Sequence, residues 1–168
     1  MQQPTNNAFA ILRRTALMAA ITLAIAGCAT TPQSVNLADS VASNPSLSTF
    51  NTLAVQAGLS ETLKSGGPFT VFAPTNDAFK AVPAATMADL GKHPEKLKEV
   101  LNYHVTSGKL MAANIKNGDV KTLNGANAAL SKAGDFVTIE NAAVVVADLG
   151  ATNGVVHTID TVLMPPKK

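Results

Sequence analysis

Few side chains in this sequence are of a type that could do chemistry. They are His93, His104 and His157, the carboxylates Asp77 and Asp160, the phenol of Tyr103, and the thiol of Cys28, the only cysteine. Histidine moves protons near neutral pH and binds zinc, so His104, His157 and a carboxylate could in principle hold a metal. No pair of them has the close spacing of a metal-ligand motif, and neither a metal nor a cofactor is expected. Asp77 and Asp160 could form a general acid–base pair, but nothing in the sequence brings them together. Read structurally, Asp77 belongs to the first turn of a helix and Asp160 to the turn after a strand. His104 ends a helix, where a partial positive charge suits the terminus. His157 lies in an alternating apolar strand, where a histidine is more often a hydrogen-bonded core residue than a catalyst. There is no GxSxG elbow, HExxH helix or phosphate-binding glycine loop. The reading is that the chain is not an enzyme. The alternative is a small-ligand or hydrolytic role in a cleft near His104 and His157.

The elements that position these residues are organised around Gly66–Phe79, GGPFTVFAPTNDAF. Gly66-Gly67-Pro68 stops a helix, and Phe69-Thr70-Val71-Phe72 is a β-branched and aromatic run suited to a sheet core. Pro74 removes a ladder donor and ends the strand. Thr75 can cap a helix, with Asn76 and Asp77 in its first turn and Phe79 on the buried side. Upstream, Asn36–Ala42 is a weak helical turn, and Asn44-Pro45 is a helix start followed by apolar residues at helical spacing from Leu47 to Ala57. Downstream, Thr86-Met87-Ala88-Asp89 resembles a capping box, and His93-Pro94 starts a helix that buries Leu97, Val100, Leu101 and His104.

Beyond Gly108 the pattern turns to strands. Val120–Leu123 leads into Asn124-Gly125, a hairpin signal. Ala129–Lys132, Phe136–Glu140, Val144–Ala147 and Val155–Asp160 follow, separated by glycine, asparagine or aspartate. Val144–Val146 reads as sheet core, and Asn153-Gly154 as a place needing positive φ. Helices first and strands later, with one early strand that must pair at long range, predict an α+β domain.

The N-terminus is an address. Arg13 and Arg14 precede the apolar run Thr15–Ala26, which falls short of the about 20 residues of a membrane span. Ile25-Ala26-Gly27-Cys28 resembles the lipobox of bacterial lipoprotein precursors, whose cysteine is acylated. The expected layout is a signal peptide at 1–27, an acylated tether at 28–34, a domain at 35–165 and a tail at 166–168. Several acyl chains on Cys28 would hold the protein to a membrane. Ala29 after the cysteine is similar to the pattern of outer-membrane sorting, so the protein is expected to be exported and anchored to the bacterial envelope, at the outer membrane. The chain from Cys28 onward has 141 residues, enough for one domain. Without Arg13 and Arg14 it carries eleven Lys against eleven Asp plus Glu, and no arginine. That neutrality argues against a nucleic-acid partner.

Three ordered motifs together resemble the fasciclin (FAS1) domain family. They are Thr70–Phe79 (TVFAPTNDAF), Tyr103-His104-Val105, and Asn153–Asp160 (NGVVHTID) followed by Val162-Leu163-Met164-Pro165. The resemblance spans about Val35–Pro165. It implies a β-sandwich-like wedge with a packed helical subdomain, and adhesion or surface binding rather than catalysis. In animal members partner contact is attributed to an Asp-Ile motif and to the Tyr-His region. The matching positions here are Asp148-Leu149 and Tyr103-His104, so these four residues are the expected contacts with an extracellular or envelope protein or polysaccharide.

Overall fold

The computed structural model describes residues 35–166. The first half is helical: α1 Leu37–Ala42, a 3-10 turn at Pro45–Leu47, α2 Ser48–Gln56 and α3 Leu59–Ser65 precede strand β1, Phe69–Pro74. Helices α4 Asn76–Ala81, α5 Ala84–Lys92 and α6 Pro94–Tyr103 follow. Then come β2 Val105–Ser107, a 3-10 turn at Ala112–Asn114, β3 Gly118–Lys121, β4 Asn127–Ala133, β5 Phe136–Ile139, β6 Ala142–Ala151 and β7 Gly154–Ile159. This is the α+β arrangement expected. Residues 1–34, which include Cys28 and the expected signal peptide and tether, and Lys167–Lys168 lie outside the described residues.

The strands form one sheet in the order β2-β1-β7-β6-β5-β4-β3. Every neighbouring pair is antiparallel except β1 and β7, which run parallel with Phe72 opposite His157. The sheet curls until its two ends meet, through a bridge between Thr106 and Thr122 and a bond from Leu123 N–H to Val105 O (2.8 Å). The early strand therefore sits inside the later sheet, as the long-range pairing requires.

Alternation along the central strands divides two cores. Val71, Ala73 and Val156 face the helices and join Leu37, Phe50 and Leu101. Phe72 and Ile159 point into the curled sheet with Tyr103, Leu130, Ile139 and Leu163. Strand β7 is buried at every residue, so substitutions on either of its faces strike a core.

Local signals place the helices. Asn36 Oδ1 accepts from Asp39 N–H at 3.0 Å, Asn44 Oδ1 from Ser46 N–H at 3.0 Å, and Thr75 Oγ1 from Ala78 N–H at 3.2 Å, each satisfying an orphan helix donor. Asn76 does more than occupy a first turn. It accepts from Thr49 N–H (3.0 Å) and donates to Pro45 O (2.9 Å), fastening α4 to the start of α2.

Several sequence expectations are corrected. Helix α5 starts at Ala84, not after Thr86, because Pro83 adopts an extended conformation and its carbonyl accepts from Thr86 N–H (2.9 Å), putting Thr86 inside the first turn. Strands begin before Gly108 and not only beyond it, since Val105–Ser107 form β2. The Asn124-Gly125 hairpin is there, but its connection is wider than two residues, closed by Thr122 N–H to Ala126 O (3.0 Å). Neither Asn153 nor Gly154 has positive φ. Gly154 is required by space: a Cβ there would collide with Phe69 O and stand 2.7 Å from Leu37 Cδ1. Asn153 is required by its amide, which accepts from Leu37 N–H (2.9 Å) and donates to Leu63 O and Gly66 O (both 2.7 Å). One side chain thereby joins α1, α3 and the lead-in to β1.

Candidate functional site

The end of α6 delivers Tyr103 and His104 into the interior. His104 is completely buried. Its Nε2 accepts from Leu163 N–H at 3.0 Å, so the ring proton is on Nδ1, which donates to Val100 O at 2.8 Å. Burial pushes its pKa down to about 4, against the smaller opposing effect of the Val100 carbonyl. The ring is neutral at physiological pH and pins the C-terminal segment to α6. Tyr103 is 2% exposed, and its hydroxyl reaches Asn127 O (3.1 Å) and Glu140 Oε1 (3.2 Å). Burial first, and then the Glu140 carboxylate, push the phenol up to about 12. Neither Tyr103 nor His104 offers surface to a partner in this structure. The expectation of direct contact through these two is corrected: α6 packs its C-terminal end against β4, β5 and the final segment.

His157, on β7, is the mirror case. Its Nδ1 accepts from Asp148 N–H (3.1 Å), and its Nε2 donates to Leu110 O (2.7 Å). The ring stacks on Phe72 at 5.4 Å. Burial lowers its pKa, opposed by the Leu110 bond and the Asp148 charge. Both nitrogens of both buried histidines are thus engaged, which leaves neither free to move a proton to a substrate.

Asp148 and Leu149 do lie together near the surface, half-buried, in an irregular part of β6. The register of β6 against β7 slips between Val144 and Val146 and again between Val146 and Leu149. Asp148 has a φ of 59°, a left-handed conformation uncommon outside glycine, asparagine and aspartate. Its Oδ1 accepts from Ala112 N–H (2.8 Å), and Leu149 turns back onto the helix-facing core. The double bulge throws Val145 (61% exposed) and Val146 (46% exposed) into solvent, correcting the expectation that Val144–Val146 is sheet core. A run of valines fits a buried strand, and no residue pattern marks the slip.

Asp77 and Asp160, which the sequence could not bring together, line one surface cavity of about 570 Å³ with Ser46, Thr75, Lys80 and Val145. Asp77 is paired with Lys80 at 2.7 Å, and Asp160 Oδ1 accepts from Ala143 N–H at 2.9 Å. A second cavity, of about 610 Å³, lies between α5, α6 and the C-terminal segment, with Leu90, Val100, Ala126, Met164 and Pro165 among its walls. Neither histidine lines either one. Among the described residues no group of three or more His, Cys, Asp or Glu is placed to hold a metal, and no helix is long and apolar enough to cross a membrane.

The sequence profile of the fasciclin domain matches residues 45–165, most of the chain. The chain belongs to the fasciclin-domain family. This fasciclin domain is 40% identical over 145 residues to "Protein sll1483" of Synechocystis sp., covering 85% of this chain and 81% of that protein. It is 44% identical over 111 residues to transforming growth factor-beta-induced protein ig-h3 of Sus scrofa, covering 66% of this chain but 16% of that much longer protein. It is 39% identical over 147 residues to the cell surface glycolipoprotein MPB83 of Mycobacterium bovis, covering 84% of this chain and 64% of that one. Among solved structures, a FAS1 domain pair from the insect cell adhesion molecule fasciclin I has the same fold, with a TM-score of 0.62 at 17% identity over 78% of this chain and 51% of that one. Fasciclin domains thus occur in surface and adhesion proteins, and none of these names describes an enzyme.

Proposed function

We propose that this fasciclin domain is a lipid-anchored, extracytoplasmic adhesion module of a bacterial envelope. Residues 1–27 export the chain, acylated Cys28 and residues 28–34 tether it at the outer membrane, and the domain at 35–165 contacts an extracellular or envelope protein or polysaccharide. The contact surface is the β6 bulge, with Asp148 and Leu149 as its polar and apolar ends and Val145 and Val146 beside them. Tyr103 and His104 are buried and serve the fold, through their bonds to Asn127, Glu140, Val100 and Leu163. The observation that carries this reading is the pair of outward valines on a strand whose neighbour β7 is wholly buried. Adjacent apolar side chains held in water beside a bulge form a surface that a partner can cover. The surface and adhesion names among the relatives support the same reading.

Cross-linking with mass spectrometry on intact cells tests it, comparing the natural chain with Val145→Ser/Val146→Ser/Asp148→Asn. Loss of a cross-linked partner in the variant, with circular dichroism unchanged and Tyr103→Phe still binding, is the expected result. The same partners in both chains would remove the contact from this bulge. The anchor is tested separately: Cys28→Ser should move the protein out of the membrane fraction, and continued detergent-dependent extraction would overturn acylation.

A further inference from the structure

We propose that His157 is a pH latch on the Asp148–Leu149 bulge, releasing this segment when its Nδ1 takes up a proton. The importance of the latch for binding rests on the contact surface proposed above, but the latch itself is a property of the fold. Asp148 holds a left-handed backbone that a non-glycine residue keeps only where its surroundings fix it. Two bonds do the fixing: Asp148 N–H to His157 Nδ1, and Ala112 N–H to Asp148 Oδ1. The same imidazole donates from Nε2 to Leu110 O, and Leu110 N–H in turn donates to Thr70 Oγ1 (2.8 Å). One ring therefore clamps β7, the bulge and the loop after β2 together.

The clamp works in one protonation state. A neutral imidazole with its proton on Nε2 has a lone pair on Nδ1 for Asp148 N–H; an imidazolium presents a donor to a donor. The Asp148 carboxylate can then accept from Nδ1–H, and Asp148 N–H is left without the acceptor that holds it. Two mutually exclusive bond sets, exchanged by one proton, make a bistable element. The groups around the ring set its balance. From β6, the Asp148 carboxylate favours the proton. From β4, Lys132 is engaged on the far side of Asp148's partner, its Nζ capping Ala112 O (2.7 Å) and Ala113 O (2.9 Å). From β1, Phe72 contributes an uncharged stacked ring. The loop after β2 contributes the Leu110 carbonyl, and its Lys109 is exposed. Burial keeps the ring neutral at pH 7 and sets the release below the ordinary imidazole value.

Hydrogen exchange by mass spectrometry on the full chain in detergent, from pH 7.5 to 4.5 and corrected for intrinsic exchange, reads the latch directly. Peptides over 146–150 and 109–114 should lose at least tenfold more protection than β1, at 69–74, as the pH falls through the series. His157→Asn leaves a non-titrating acceptor near the Nδ1 position and should abolish the pH dependence. Asp148→Asn keeps the Ala112 bond and tolerates positive φ but removes the charge, so release should move to lower pH. The proposal is overturned if 146–150 stays as protected as β1 until the whole chain unfolds. It is overturned equally if His157→Asn shows the same acid loss, or if Asp148→Asn leaves the midpoint unmoved. No partner enters this measurement, so a failed binding surface and a failed latch are told apart.

Discussion

Acid should destabilise this domain through His104, by an amount its burial sets. The ordinary imidazole value is 6.5, and burial brings this one to about 4. Because the folded value lies below the unfolded one, the unfolded chain takes up the proton first. The stability is whole above pH 6.5 and drains away as the pH falls toward 4. At 1.36 kcal/mol per pH unit of difference, the loss approaches about 3 kcal/mol. Against a typical total of 5–15 kcal/mol, that is a large share. Urea denaturation at steps from pH 7 to 4 measures it, with His104→Gln as the comparison. The glutamine oxygen can accept from Leu163 N–H in place of Nε2 but does not titrate. The variant should start lower at pH 7, by about 1 kcal/mol for the lost Val100 bond. Its curve should then be flatter by about 3 kcal/mol across the window. His157 and the carboxylates are common to both chains and cancel. Parallel curves would mean that His104 is not what titrates, and that its burial has been misjudged.

Gly154→Ala should cost about 3 kcal/mol or more, since the new Cβ runs into Phe69 O and Leu37 with backbone on one side; a melting temperature within a degree or two of the natural chain would refute this. Asn153→Ala leaves Leu37 N–H, Leu63 O and Gly66 O without partners and should also cost about 3 kcal/mol in chemical denaturation, at about 1 kcal/mol per bond. The chain has a single tyrosine, so ultraviolet titration reads Tyr103 alone. Its phenolate should appear near pH 12, and a midpoint near 10 in the folded chain would put the hydroxyl in water.

Much of the architecture was legible because it rests on local signals with a direct physical meaning. Thr75 as a cap, Pro94 as a helix start, the strand before Pro74 and the alternation of Val155–Ile159 are all realised in the fold. The losses fall where one residue serves two elements or where the backbone leaves its regular course. Pro83 serves both the end of α4 and the start of α5, which moves that start ahead of Thr86. Gly154 after Asn153 suggests freedom of φ, whereas its requirement is the approach of Phe69 and Leu37, residues far away in sequence. The β6 bulge is invisible in a string of alanines and valines, because register is fixed by the partner strand and not by the bulged one.

The same reasoning separates what the motifs do from where binding is to be sought. Each distinctive residue of the three boxes fastens parts of the chain that are remote in sequence: Asn76 joins α4 to α2, His104 joins α6 to Leu163, His157 joins β7 to Asp148 and Leu110, and Asn153 joins three elements at once. A fold whose early strand pairs in parallel with its last one carries a high loop-closure cost, and buried polar clamps add specificity to a pairing that apolar packing alone leaves loose. Residues tied up in this way have no bonds left for a partner. The positions free to be selected for binding are those the fold does not need, and Val145 and Val146 fit that description: they stand in water, and the ladder slips around them. If replacing both by serine leaves the unfolding midpoint unchanged, their apolar character is not there for stability. If the unfolding free energy falls by about 2 kcal/mol or more, the bulge belongs to the core after all, and the contact surface must be sought on another face.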